Sequence, residues 1–373
     1  MWPAGLTILS VTFAPFCVAS VIKFFVLPQT ASGGSSVWVF QVLLVAAFLG
    51  LNSGLSILNR WALGVHGLHL PLMMTALHMI FGTCALSPLM LLHRGYYDAH
   101  AATLGKVLKS VAILGVLNGL QVAANNASLT RIELSLNQVL RAFGPLCVAV
   151  IATCVEGKFT SAQETVWLLV IALGVSMTVY KEAQRDESSL VGAGLVLSSI
   201  LMQSGILSVS SKLMGGVKLD GLQMAFYSGP FGAAILFPMA LAAGEGAEIV
   251  RTLRAEPGVV TTFLLGSSIL AVAYNVVVFQ SSHTLSSVGT SVLANVKIVL
   301  LFALSALTLG EMANWGAREY AGCILTFGGS GAYSWLRMRK AEAAKQAQKV
   351  HQELEAEASA KLVTDAPPAA AAS

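Results

Sequence analysis

The chain has 373 residues, of which 55% are hydrophobic and 11% charged, with a formal net charge of +4 and a mean hydropathy of +0.74. That mix excludes a soluble globular domain, and basic residues dispersed without interleaved aromatics exclude a nucleic-acid surface. The five cysteines (Cys17, Cys84, Cys147, Cys154, Cys323) form no CxxC pair and the seven histidines no ligand spacing with carboxylates, so no metal, cofactor or disulfide framework is expected.

Residues 1–36 contain an apolar stretch, 5–28, with Lys23 near its end and Pro28 closing it, then the polar linker Gln29 to Ser36. A signal sequence, an anchor and an extra span all fit that pattern. From Val37 the apolar runs are about 20 residues long, enough to cross a bilayer as helices and without the alternation of a barrel. They predict ten spans, near 38–63, 70–92, 104–126, 132–153, 163–180, 190–213, 220–243, 258–279, 286–309 and 316–336. The expected fold is an all-α polytopic membrane protein of about ten transmembrane helices in two inverted five-helix repeats, 37–181 and 188–337. Together these form a transporter domain, 37–337. Residues 338–373 are charged, alanine-rich and finally proline-rich, which predicts a solvated, partly helical tail with a disordered end. Basic residues at Arg94, Lys106, Lys109, Arg337, Arg339 and Lys340 put both ends of the bundle, and so the C-terminus, on the cytosolic side.

Within the ninth span, Ser286 to Leu309, a single cation, Lys297, lies among apolar residues. A buried intramembrane charge costs about 2.5–3.5 kcal/mol on insertion scales and usually faces a cavity where it meets an anion. Thr290 and Ala294 share its helical face. The alternative is a lysine that snorkels to the interface or pairs with a neighbour.

The two halves carry a weak internal repeat. Tyr180 and Tyr333 each close a span, an offset of 333 − 180 = 153, and the same offset sets Gly157 against Gly310 and Asn137 to Gly144 against Thr290 to Lys297. Arg60 similarly falls near Lys212, at an offset of 152. An odd number of spans per repeat inverts one half relative to the other, the geometry of alternating access around a midplane site. Counted along the repeat, Arg141 and Lys297 lie one turn apart. Arg141 shares a face with Asn137 and Gly144, so a guanidinium fork and an ammonium converge on one cavity, a pair suited to phosphate. The alternative for Arg141 is an ion pair with Glu133. Carboxylates stand at span ends or in loops, which favours exchange of anions over proton-driven symport.

Several stretches resemble the nucleotide-sugar and triose-phosphate translocators of the drug/metabolite transporter superfamily, over about 37–337. Asn59-Arg60-Trp61 is similar to the family's Asn-Lys-Trp, and Met73 to Met79 to its second-span text. Ser135 to Val150 resembles Ser-Phe-x-x-x-x-Lys-x-x-x-Pro, with Arg141 at the lysine and Pro145 at the proline. Gly310-Glu311 resembles the family's Gly-Glu. The resemblance implies that Arg141 and Lys297 hold substrate phosphate. It also implies that Tyr227 stacks on or hydrogen-bonds the sugar or base, with Tyr274 and Asn275 as further candidates. Plastid phosphate carriers have Lys-Arg where this chain has Lys297-Ile298. Nucleotide-sugar carriers keep an asparagine before a single lysine, as in Asn295 and Lys297. Phe226 and Tyr227 match a GDP-mannose motif whose two asparagines are Ser228 and Gly229 here.

The expected function is therefore exchange of a nucleotide sugar for its nucleoside monophosphate across a Golgi or ER membrane, by a protein embedded in the lipid bilayer as monomer or homodimer. A sugar-phosphate/phosphate antiporter of a plastid envelope is the second reading. A membrane enzyme lacks its acid/base cluster, and a non-transporting scaffold would act through the charged tail.

Overall fold

A computed structural model describes residues 34–92, 94–147, 160–185, 187–217, 221–284 and 287–364. The expected N-terminal segment, 1–36, lies almost wholly outside the described residues. The described chain is helical, with no strand: α1 (Gly34–Arg60), α2 (Pro71–Leu92), α3 (Arg94–Ser128), α4 (Leu134–Arg141), α5 (Ala162–Arg185), α6 (Glu187–Val217), α7 (Gly221–Ala242), α8 (Glu245–Ala255), α9 (Pro257–Thr284), α10 (Ser287–Leu309) and α11 (Ala317–Thr364). A π-helical turn, Trp61–Val65, continues α1 and ends where the Trp61 ring stacks on His66.

Six described segments are long and apolar enough to cross a membrane: Leu43–Val65, Pro71–Leu92, Gly105–Ser128, Glu187–Ile206, Leu222–Ala242 and Pro257–Val278. Ala162–Thr178 and Val296–Leu309 are shorter apolar helices. Their hydrophobic residues run around the whole circumference, as in helices that lipid surrounds. The protein is therefore a polytopic integral membrane protein.

Two elements differ from the sequence expectation. The expected span 132–153 begins as the eight-residue helix α4, which stops at Arg141 in a turn at Ala142 and Phe143. Pro145 explains the break, since it has no N–H to bond the Arg141 carbonyl four residues back, and helix resumes over 144–147. A short amphipathic helix, α8, also fills the connection between α7 and α9. Its Glu248 and Arg251, three residues apart, pair at 2.6 Å, while Ile249 packs inward on the cluster of Leu70, Met73 and Ala240. The tail continues the last span as one helix to Thr364, 48 residues in α11.

The helices of the first half pack mainly on those of the second. α5 lies against α11, α2 against α7, α3 against α6, α1 against α9 and α4 against α10. α5 crosses α11 closely: a Cβ on Gly174 would meet Thr326 Oγ1 and the Gly322 carbonyl. Small residues there let two backbones touch, which is how helices gain packing in lipid.

Gly174→Leu should therefore force α5 and α11 apart at a cost of about 1–3 kcal/mol, seen as a fall in the melting temperature of detergent-purified protein. Gly194→Ala, on a helix face with no neighbour within 4 Å, should leave that temperature unchanged.

Candidate functional site

Arg141 closes α4, so its cation stands at the negative end of a helix dipole in the middle of the bundle. Three neutral oxygens hold it. Nε donates to Asn125 Oδ1 at 3.2 Å and to Asn137 Oδ1 at 3.3 Å, and Nη2 donates to Ser199 Oγ at 3.2 Å. Each holder is itself fixed. Asn137, fully buried, donates to Asn125 Oδ1 and to Ser128 Oγ, and Gln121 on α3 donates to Ser199 Oγ at 3.1 Å. Nη1 meets no protein acceptor among the described residues, so one edge of the guanidinium is left open to an anion.

The ion pair of Arg141 with Glu133 does not form. Glu133 instead accepts from Trp315 Nε1 at 3.1 Å and from Ser135 Oγ at 3.2 Å.

Lys297 comes to the same place from α10. Arg141 is near enough to act electrostatically on Lys297 and on Tyr274 of α9. Lys297 Nζ stands 6.0 Å from the centre of the Phe48 ring, and that ring is tilted against Tyr274 at 5.7 Å. Asn52, whose side chain lies near the Tyr274 hydroxyl, has a buried Oδ1 without a donor. Among the described residues neither Arg141 nor Lys297 has a carboxylate partner. Two uncompensated cations and an orphan amide oxygen in an apolar bundle need an anion or water beside them.

The other sequence candidates fall elsewhere. Asn275 lines a small cavity between α2, α3, α7 and α9 with His78, Asn118, Ser228 and Gly229. His78 Nε2 lies 2.9 Å from Ser267 Oγ, whereas the amides of Asn118 and Asn275 meet no protein partner among the described residues. Asn118 and Asn125 are seven residues apart on α3 and so share one face of it. The cavity therefore lies two turns along the face that holds Arg141. Tyr227 is buried in an apolar cluster with Val107, Val111, Leu114, Ile206 and Met224. Thr290 and Asn295 lie outside the residues whose side chains are described.

Ser199, Asn52 and Phe48 carry no sequence signal for a role at the site, whereas the adjacent Asn125 and Asn126 mark a polar pair suited to bonding across helices. Only the offset that aligns α4 with α10 points at their neighbourhood.

The sequence matches the profile of the Triose-phosphate Transporter family over residues 40–334. The chain belongs to this family. Among its relatives, the human solute carrier family 35 member E4 is 26% identical, covering 78% of this chain and 79% of that protein. A probable sugar phosphate/phosphate translocator of Arabidopsis thaliana is 26% identical over 72% of this chain and 74% of its own length. UDP-galactose transporter 1 of the same plant is 23% identical over 80% and 87%. As a member of the Triose-phosphate Transporter family the protein is a membrane transporter and not an enzyme.

Removing a tether of Arg141 without touching its charge should show how much the network contributes. Asn125→Ala removes one of the two acceptors of Nε and one of the two acceptors of the Asn137 amide, so affinity for an anionic substrate should fall about 5-fold to 10-fold, the worth of one hydrogen bond of about 1–1.5 kcal/mol. Equilibrium binding to detergent-purified protein measures it.

Proposed function

We propose that the protein is an antiporter that exchanges a nucleotide sugar for its nucleoside monophosphate across a Golgi or ER membrane, with Arg141 and Lys297 holding the phosphate. One observation carries this reading: Arg141 of α4 acts electrostatically on Lys297 of α10, and among the described residues neither has a carboxylate partner and Arg141 Nη1 has no protein acceptor. Phosphate fits both, since it accepts paired N–H donors from arginine and a point charge from lysine. Asn137 and Tyr274, with Thr290 and Asn295 upstream of Lys297, complete the phosphate end. Asn275 is assigned to the sugar or base.

The choice of nucleotide sugar over triose phosphate rests on position 298. Ile298 is buried, so the second consecutive cation of plastid phosphate carriers has no counterpart, and two cations face the roughly two negative charges of a monophosphate. UDP-galactose transporter 1 among the relatives is in keeping with this. Exchange follows from the same charges. An empty site leaves Arg141 and Lys297 repelling each other, whereas a bound anion neutralises them for passage through the occluded state.

The packing supports two inverted repeats of five spans. Exchanging α1 with α6, α2 with α7, α3 with α9, α4 with α10 and α5 with α11 turns the contact of α1 on α9 into that of α6 on α3. It maps α2 on α7, α4 on α10 and α5 on α11 onto themselves. Rocking of such halves gives alternating access.

Thermal stabilisation of purified protein tests the function with a panel of nucleoside monophosphates, nucleotide sugars, sugar phosphates and inorganic phosphate. One monophosphate and its nucleotide sugar should raise the melting temperature, by about 2.7 kcal/mol of stabilisation at a hundred times Kd. Lys297→Ala and Arg141→Ala should each weaken that ligand about 10-fold to 100-fold. Shifts with sugar phosphates or phosphate alone would instead assign a sugar-phosphate/phosphate antiporter, and no shift with any of them would overturn the proposal.

A further inference from the structure

At one end of the bundle, carboxylates from the second half of the chain fasten the first half. Glu311, just after α10, pairs with Arg60 at the end of α1, Nε to Oε1 at 2.7 Å, and both side chains are largely buried. Arg60 Nη1 also donates to the Leu129 carbonyl at 2.6 Å. The same carboxylate caps the start of α4. Its Oε1 accepts from the Leu134 amide at 3.0 Å, and its Oε2 from the Ser135 amide at 3.0 Å and from Ser135 Oγ at 3.2 Å. Glu133, at the N-cap of α4, makes no side-chain cap of its own, so Glu311 supplies it from the other half. Glu256 lies 3.2 Å from His66, and Glu245 accepts from the Leu72 and Met73 amides at 3.3 and 2.6 Å. Everything held is the connection from α1 to α2 or the start of α4. Everything holding flanks α8 or follows α10.

We propose that Glu311 is a positioning residue for the anion site and, with Arg60, the latch of the gate at this end. Lys297 rides on α10, which Glu311 follows, and Arg141 closes the helix whose first amides Glu311 grips. A single carboxylate thus ties together the helices that carry both cations. Release toward this end requires α10 and α4 to part. A knot of charge-assisted hydrogen bonds can part because water replaces each partner, whereas the close backbone contact of α5 and α11 at Gly174 and Gly322 offers no such exchange. Opening the latch moves Arg141 away from Lys297 and loosens the grip on phosphate as the gate opens. This inference rests on the transport reading for its purpose, but its test reads the latch without any ligand.

The test labels a Ser135→Cys reporter with a membrane-impermeant maleimide in proteoliposomes, against protein carrying the native cysteines alone. With Arg60 in place the reporter should react slowly. Arg60→Gln, which leaves the Glu311 cap of α4 intact, should speed labelling about tenfold, from one side of the membrane only, and Arg60→Lys should restore the slow rate. Glu311→Gln, a second and independent variant, should speed it likewise. Exchange by Arg60→Gln should also become asymmetric, with half-saturating concentrations differing between the two sides. A merely structural ion pair would lower stability and maximal rate together without that asymmetry. Equal, slow labelling in folded Arg60→Gln or Glu311→Gln would overturn the proposal. The labelling contrast holds or fails whatever the substrate, so its failure is distinct from failure of the phosphate assignment at Lys297 and Arg141.

Discussion

The proposed site depends on positive charge that no described carboxylate neutralises. Burying one cation in an apolar bundle is unfavourable, and a second close by adds repulsion, so a sequence under no functional constraint would pair each with a carboxylate or discard it. Here the described carboxylates near the bundle are otherwise engaged. Glu311 and Glu245 cap helices of the opposite half, Glu133 receives Trp315, and Glu164 meets Lys340. Among the described residues Arg141 and Lys297 have no carboxylate partner, the place the proposed phosphate would take.

The local structure of Arg141 follows from that demand. The break before Pro145 ends the helix at the cation, and the last-turn carbonyls then favour the charge. The network through Asn125, Asn137, Ser199 and Gln121 binds with neutral oxygens, which fix the guanidinium in orientation without cancelling its charge. A carboxylate in any of those places would hold it as well and close the site.

Much of this is legible in the sequence, and what is not has a physical reason. Long apolar runs announce the spanning helices, because lipid demands internally satisfied backbone and little else fits. An isolated lysine in such a run, and an arginine matched to it by the repeat offset, mark the two cations. The partners of Arg141 on α3 and α6 are not legible, because contacts between helices 58 residues apart, as for Ser199, leave no periodic trace. Pro145 carries the break in α4, although the family resemblance presents it only as part of a motif. The amphipathic α8 has its Glu248 and Arg251 in plain view, yet apolar runs of spanning length say nothing of a short helix lying between them. Tyr227 carries the opposite lesson, since an aromatic residue announces burial without naming what surrounds it, and here apolar side chains do.

The most direct measurement is an experimental structure of the protein with a nucleoside monophosphate bound. The account predicts the phosphate between the open edge of Arg141 and Lys297 Nζ, with Phe48 and Tyr274 beside it. A phosphate bound elsewhere, or either cation paired with a protein carboxylate in the complex, would contradict it.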